Sequence, residues 1–174
     1  MNDESKLVRA IFSINRAIGQ GVSWLLIPLM LVIVFDVVGR RFFNVGSVAL
    51  QEIEWHLHTL IFLFAAAYAY QRDGHVRITM LRDRCSERTK AWIEAGGCLL
   101  ALIPYAALLS YLSYAYFAYA FSINESSDAP GGLPARWFLK GFFPIAFALL
   151  ALQGVATLLS SLREARRRRQ GSSS

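Results

Sequence analysis

Residues 22–39 read VSWLLIPLMLVIVFDVVG, eighteen positions with one charge, Asp36, closed at once by Arg40 and Arg41. A bilayer core roughly 30 Å thick takes about 20 residues of helix at about 1.5 Å per residue. The stretch therefore predicts a membrane-spanning helix over about 21–39. Backbone inside lipid must satisfy its own hydrogen bonds, which leaves helices or closed barrels. A barrel would show alternating segments of about ten residues, and nothing in the chain alternates that way.

Three more stretches follow. Residues 53–70, IEWHLHTLIFLFAAAYAY, have a charge-free part of only sixteen positions after Glu54, so Glu54 and the two histidines belong near the headgroups. Ala95 to Asn124 carries no charge for thirty residues, more than a bilayer needs, which implies tilt or a last turn beyond the lipid. Gly141 to Leu162 is charge-free for twenty-two residues and fits without strain. Trp24, Trp55, Trp92 and Trp137 each fall near the start of a different span, where an indole can bury its ring and keep its N–H wet. The expectation is an all-α integral membrane protein, one four-helix domain over 1–174 with crossings at about 21–39, 53–70, 95–121 and 141–162. Leu7, Ile11, Ile14 and Ile18 recur at helical spacing among Lys6, Arg9 and Arg16, which predicts an interfacial amphipathic segment over about 5–18. A secretory signal is the poorer reading of the first span, since Arg40-Arg41-Phe42-Phe43 follows it and not a small-residue cleavage site.

Composition agrees. In a chain of 174 residues, 55% are hydrophobic and mean hydropathy is +0.39, too apolar for an ordinary soluble domain. The net charge of +6 would otherwise suggest nucleic acid, but here the basic residues set orientation. With both termini and the 71–94 loop on one side, fourteen Lys and Arg lie there against four on the other: Arg40, Arg41, Arg136 and Lys140. The positive-inside rule puts the fourteen in the cytoplasm, and the basic tail 163–174, with Arg166 to Arg169, then meets anionic lipid headgroups. Cys85 and Cys98 form no Cys-x-x-Cys pair, so neither a disulfide framework nor a zinc site is indicated.

Polar residues near or inside the spans are the candidate sites, because ionisable groups there are costly. Asp36 has Arg40 four residues on, which makes a local ion pair. Arg40 can also pair across the short 41–51 connection with Glu52 or Glu54, with Asp36 competing from one turn away. Glu52/His56 and Glu54/His58 form two stripes about 160° apart on one helix, so both cannot face lipid cheaply. A proton relay through them would need polar groups across the bilayer, and Ile61 to Ala67 offers none. Haem between facing histidines is implausible, since His56 and His58 point apart and His75 lies in a loop. The tyrosines of 105–121, among them Tyr111, Tyr114, Tyr116 and Tyr119, read as lipid-facing or interfacial rather than as a ligand surface. Ala65/Ala69 and Gly97/Ala101 are small-residue pairs that suit close helix packing. The segment 122–136 carries Glu125 and Asp128 before Pro130-Gly131-Gly132 and Pro134, and is the main loop on the outer side. No glycine-rich phosphate loop or nucleophile elbow is present, so neither an enzyme nor a cofactor is expected.

Gly39-Arg40-Arg41-Phe42 closing the first span, Gln51-Glu52-Ile53-Glu54-Trp55 opening the second, Tyr68-x-x-x-Arg72-Asp73-Gly74-His75-Val76-Arg77 after it, and Gly131-Gly132-Leu133-Pro134 before the last complete a pattern. With these motifs the chain resembles the small membrane subunit of the tripartite ATP-independent periplasmic (TRAP) transporters, the DctQ family. The resemblance implies a fixed scaffold for a large elevator-type membrane subunit in a bacterial inner membrane, with a periplasmic binding protein delivering small solutes, commonly organic acids, under an ion gradient. It also makes Asp36, Arg40, Glu52, Glu54, Trp55, His58, Asp73, His75 and Arg77 structural or partner-facing candidates, and Glu125 and Asp128 a periplasmic docking loop. An autonomous small carrier and a haem-binding electron-transfer anchor are the competing readings.

Overall fold

The computed structural model describes residues 3–44, 46–72 and 86–171. Among them every regular element is a helix: α1 (Asp3–Ser23), α2 (Leu26–Phe43), α3 (Val48–Gln71), α4 (Glu87–Gly97), α5 (Ile103–Ser122) and α6 (Trp137–Gly171), with a π-helical turn, Cys98–Leu102, between α4 and α5.

Prolines account for the breaks. Pro28 has no N–H for the Trp24 carbonyl, which accepts from Ile27 N–H at 3.2 Å instead, and the tightened turn divides α1 from α2. Pro104 stands in the first turn of α5, and just before it Ile103 N–H reaches back five residues to the Cys98 carbonyl. Widening that turn makes room for the proline ring. Asn44, in the left-handed conformation at φ 51°, ends α2, and the Ser47 hydroxyl caps α3 by accepting from Leu50 N–H.

The helices stand in an open row, α2–α3–α6–α5; α1 braces α3 and α6, and α4 packs on α6. A row leaves broad faces exposed, and it inverts the soluble pattern. Ala67, Ala95, Ala106, Ala120, Ala146, Ala156 and Ala165 are buried, while Met30, Leu31, Phe35, Phe62, Leu100 and Tyr111 are exposed. In lipid no hydrophobic force separates leucine from its surroundings, so small residues that let backbones approach occupy the contacts. Close approach occurs at Gly19, where a Cβ would lie 2.5 Å from Tyr68, and at Gly141 against Phe117, and not at Gly97, which has open space.

Among the described residues three helical stretches are long and apolar enough to cross a membrane, Lys6–Phe43, Thr89–Ser122 and Trp137–Arg166, so three of the four expected crossings meet that measure. The fourth lies in α3, whose 24 residues would reach about 36 Å but whose first half is diluted by Gln51, Glu52, Glu54, His56 and His58. The segment expected over about 5–18 falls within α1, which packs on α3 and α6. It turns Val8, Ile11 and Asn15 inward, packs Val8 and Ile11 on Ala156 of α6, and leaves Leu7 and Ile14 exposed.

Candidate functional site: the Glu52 clasp

Just after its first turn α3 carries Glu52, buried between its helix and the 123–136 loop. Its carboxylate accepts from the Ser127 hydroxyl through Oε1 and from Leu133 N–H through Oε2 at 2.6 Å. Those two loop positions also face each other, since Ser127 N–H donates to the Leu133 carbonyl at 3.1 Å. Glu52 therefore closes a small ring of polar groups that the loop alone would leave open.

The loop sequence fits that role. Gly131 takes φ 77°, which a side chain resists, and a Cβ on Gly132 would strike the Ser127 hydroxyl and sit 3.0 Å from Glu52 Oε1. Leu133 supplies the N–H. The motifs 51–55 and 131–134, eighty residues apart, thus meet as one clasp. The hydrogen bond from Ser127, then that from Leu133, hold the Glu52 carboxyl below the usual carboxylate range; burial opposes them, and the positive fields of Arg136 and His56 assist. His56 turns back onto the Glu52 carbonyl at 2.5 Å.

The rest of the loop is tied to its own helices. Glu125 binds Lys140 of α6 at 2.5 Å, and the Lys140 ammonium lies 3.8 Å from the centre of the Tyr116 ring. Trp137 donates to Asn124 at 3.0 Å and stacks edge-on against Phe121. Asp128 is fully exposed and reaches Arg136 only at 3.8 Å. Of the two loop acids, Glu125 is thus engaged in bracing, and Asp128 faces outward.

The proposed Arg40 pair across the hairpin is not formed. Arg40 binds Asp36 at 2.5 Å, one turn back on α2, while Glu52 is held by the loop. A pair on the same helix needs no movement of a second one, and Glu52 had better-placed donors. Glu54 Oε1 is buried without a hydrogen-bond partner, and its charge is felt by Arg40. Trp55 and His58 are exposed on α3. Asp73, His75 and Arg77 lie outside the described residues.

Sequence reasoning missed a buried polar pair inside the 141–162 span. Asn15 of α1, 2% exposed, donates to Oε1 of Gln153 of α6, fully buried, at 2.8 Å. A lone amide such as Gln153 in a charge-free span was the available signal, because a buried polar group requires a partner. Nearby, the Tyr70 hydroxyl lies 3.1 Å from Glu94 and 3.2 Å from the buried Cys98 sulfur. Among the described residues no three His, Cys, Asp or Glu side chains group as they would around a metal ion.

Long apolar helices with small residues at their contacts define a multi-pass membrane protein. The sequence model of the DctQ component of tripartite ATP-independent periplasmic transporters matches residues 29–164, from α2 into α6, and the chain belongs to that family. The family is one of inner-membrane transporter components and not of enzymes. A search of curated proteins finds no match.

Proposed function

We propose that this chain is the scaffold subunit of a TRAP transporter, the part that stays still while a large elevator-type subunit carries the solute. The supporting observation is the placement of its polar groups. Glu52, Glu125 and Lys140 hold one end of the row, the single Asn15–Gln153 bond joins α1 to the middle of α6, and the outer helix flanks are hydrocarbon and aromatic. Such a row offers a rigid wall and no conduit. The four crossings are 21–39, 53–70, 95–121 and 141–162; α3 is the least apolar because its polar first turns belong to the clasp. Both termini lie in the cytoplasm on the fourteen-to-four charge division, which puts the clasp on the periplasmic side. The imported solutes are small organic molecules, organic acids among them, delivered by the periplasmic binding protein.

Co-purification and transport test this reading. The chain should co-purify with a much larger hydrophobic subunit, its deletion should abolish uptake, and liposomes holding it alone should move nothing. Solute flux through the chain alone, or a haem absorption band, would overturn it. Cysteines placed by Asp128→Cys and Arg82→Cys should label from opposite sides of the membrane; labelling from one side would defeat the topology.

A further inference from the structure

The two edges of the row differ in chemistry. On α2 the exposed side chains between Met30 and Val38 are hydrocarbon or thioether, Met30, Leu31, Val34, Phe35 and Val37 among them, ahead of the exposed Arg40 and Arg41 at its end. On α5 they include Tyr105, Tyr111, Tyr114 and Tyr119, interleaved with Leu108 and Leu112, with Ala115 and Ala118 exposed among them. Helical geometry puts the buried Ala106 and Ala120 on the flank that meets α6, and spreads these tyrosines over the opposite half. Tyr111, 72% exposed, falls near the middle of the expected 95–121 crossing, too far from either headgroup layer for its ring to bring the hydroxyl to water, and Tyr114 lies three residues further toward the loop. Among the described residues the hydroxyls of Tyr105, Tyr111, Tyr114 and Tyr119 make no hydrogen bond. Only Tyr116, nearer the loop, is engaged, by Lys140.

We propose that the outward face of α5 is the seat of the large membrane subunit, and that α2 is the lipid-facing edge. The proposal rests on reading the chain as the scaffold subunit and adds which face does the holding. A hydroxyl in hydrocarbon needs a partner that lipid tails cannot supply, so the fitting occupant is a transmembrane helix carrying carbonyl, hydroxyl or amide groups at matching depth. Tyrosine is well made for such a contact, because it gives a large area with few rotatable bonds and a polar tip, and it is enriched where protein surfaces meet. The exposed alanines between the rings allow a neighbouring helix to come close. From Met30 to Val38 the exposed α2 edge offers neither a hydroxyl nor a small residue, and its one acidic group, Asp36, turns inward and is engaged by Arg40.

Photocrosslinking in the assembled transporter, in native membranes with its large subunit and binding protein, tests the assignment. The photoreactive p-benzoylphenylalanine is placed at 111 or 114 on α5 and at 31 or 35 on α2. The expected result is a product of the summed subunit mass from 111 and 114 and none from 31 and 35. Crosslinks from α2, or none from α5 while the two subunits still co-purify, would overturn the face assignment and leave the scaffold reading standing. Loss of co-purification in the unmodified transporter would overturn both. As a second measurement, Tyr111→Phe and Tyr114→Phe keep the ring and remove the hydroxyl. Each should weaken retention of the large subunit about threefold, the size of an average interhelical bond in lipid, without changing helix content. Unaltered retention in the double variant would overturn the hydrogen-bonding role.

Discussion

The clasp end of the row and its interior are both held by buried polar groups, but with opposite chemistry. At the clasp end an ionised carboxylate, Glu52, gathers two donors from a loop that has no regular structure of its own. In the interior two neutral amides, Asn15 and Gln153, join regular helices through a single bond among apolar neighbours. The charged group can bind an irregular partner because charge-assisted bonds are about twice as strong as neutral ones. A neutral amide pair suits helices that already pack, since it costs less to desolvate and still rejects a shifted register. The clasp end is thus organised by its polar groups, and the interior only aligned by them.

The sharpest way to break this contrast is to remove Glu52. Glu52→Ala leaves Leu133 N–H and the Ser127 hydroxyl without their acceptor. Amide exchange across 125–133 should accelerate roughly ten- to a hundredfold by mass spectrometry, uptake should fall with it, and exchange in α1 should stay unchanged. A loop that remains protected would show that its internal bonds suffice and that the clasp organises nothing.

In the interior, Asn15→Ala leaves the Gln153 side chain buried with its bond broken. A loss of about 1–3 kcal/mol in detergent unfolding is expected, and the pair Asn15→Leu with Gln153→Leu should recover most of it, because replacing both partners by apolar groups is nearly neutral. Failure of the double variant to recover would mean that the amides organise the interior as Glu52 organises the clasp end.

Asp36 and Arg40 form the next smaller case. As a pair on one helix, Asp36→Ala and Arg40→Ala should produce equal, mild defects in assembly, and the double variant no more than either. A much larger defect from Arg40→Ala would assign the arginine a partner beyond α2.

The smallest effect near neutrality is that of pH. Glu52 has a folded pKa held below its ordinary value near 4.3, so its contribution is complete above that value and is lost as pH falls through the lower, folded pKa. Loop protection should be flat from about pH 7 to 5 and drop in more acidic buffer, while the Asn15–Gln153 pair, with no titrating group in its bond, should not follow. Glu52→Gln should remove the acid transition. A transition that persists in that variant would locate it in another group.

Hydropathy alone determined that the chain is helical and membrane-embedded, because the bilayer demands long charge-free runs and internally satisfied backbone, and residues such as 22–39 and 141–162 can meet that demand in one way. The family motifs were also legible as residue strings. Their meaning was not. That Glu52 would choose Ser127 and Leu133 over Arg40, that Arg40 would take Asp36, and that Asn15 would find Gln153 all depend on which helices become neighbours. Periodicity shows which face of a helix is unlike the others, and it carries no information about what stands opposite. Only the tertiary structure decided the open order α2–α3–α6–α5, and with it which faces are spent inside the chain and which are left for lipid or partner. The physical reason is that in a membrane apolar surface has no preference between lipid and protein, so hydrophobicity cannot choose the pairs; small residues and polar partners choose them, and those act over a few ångströms.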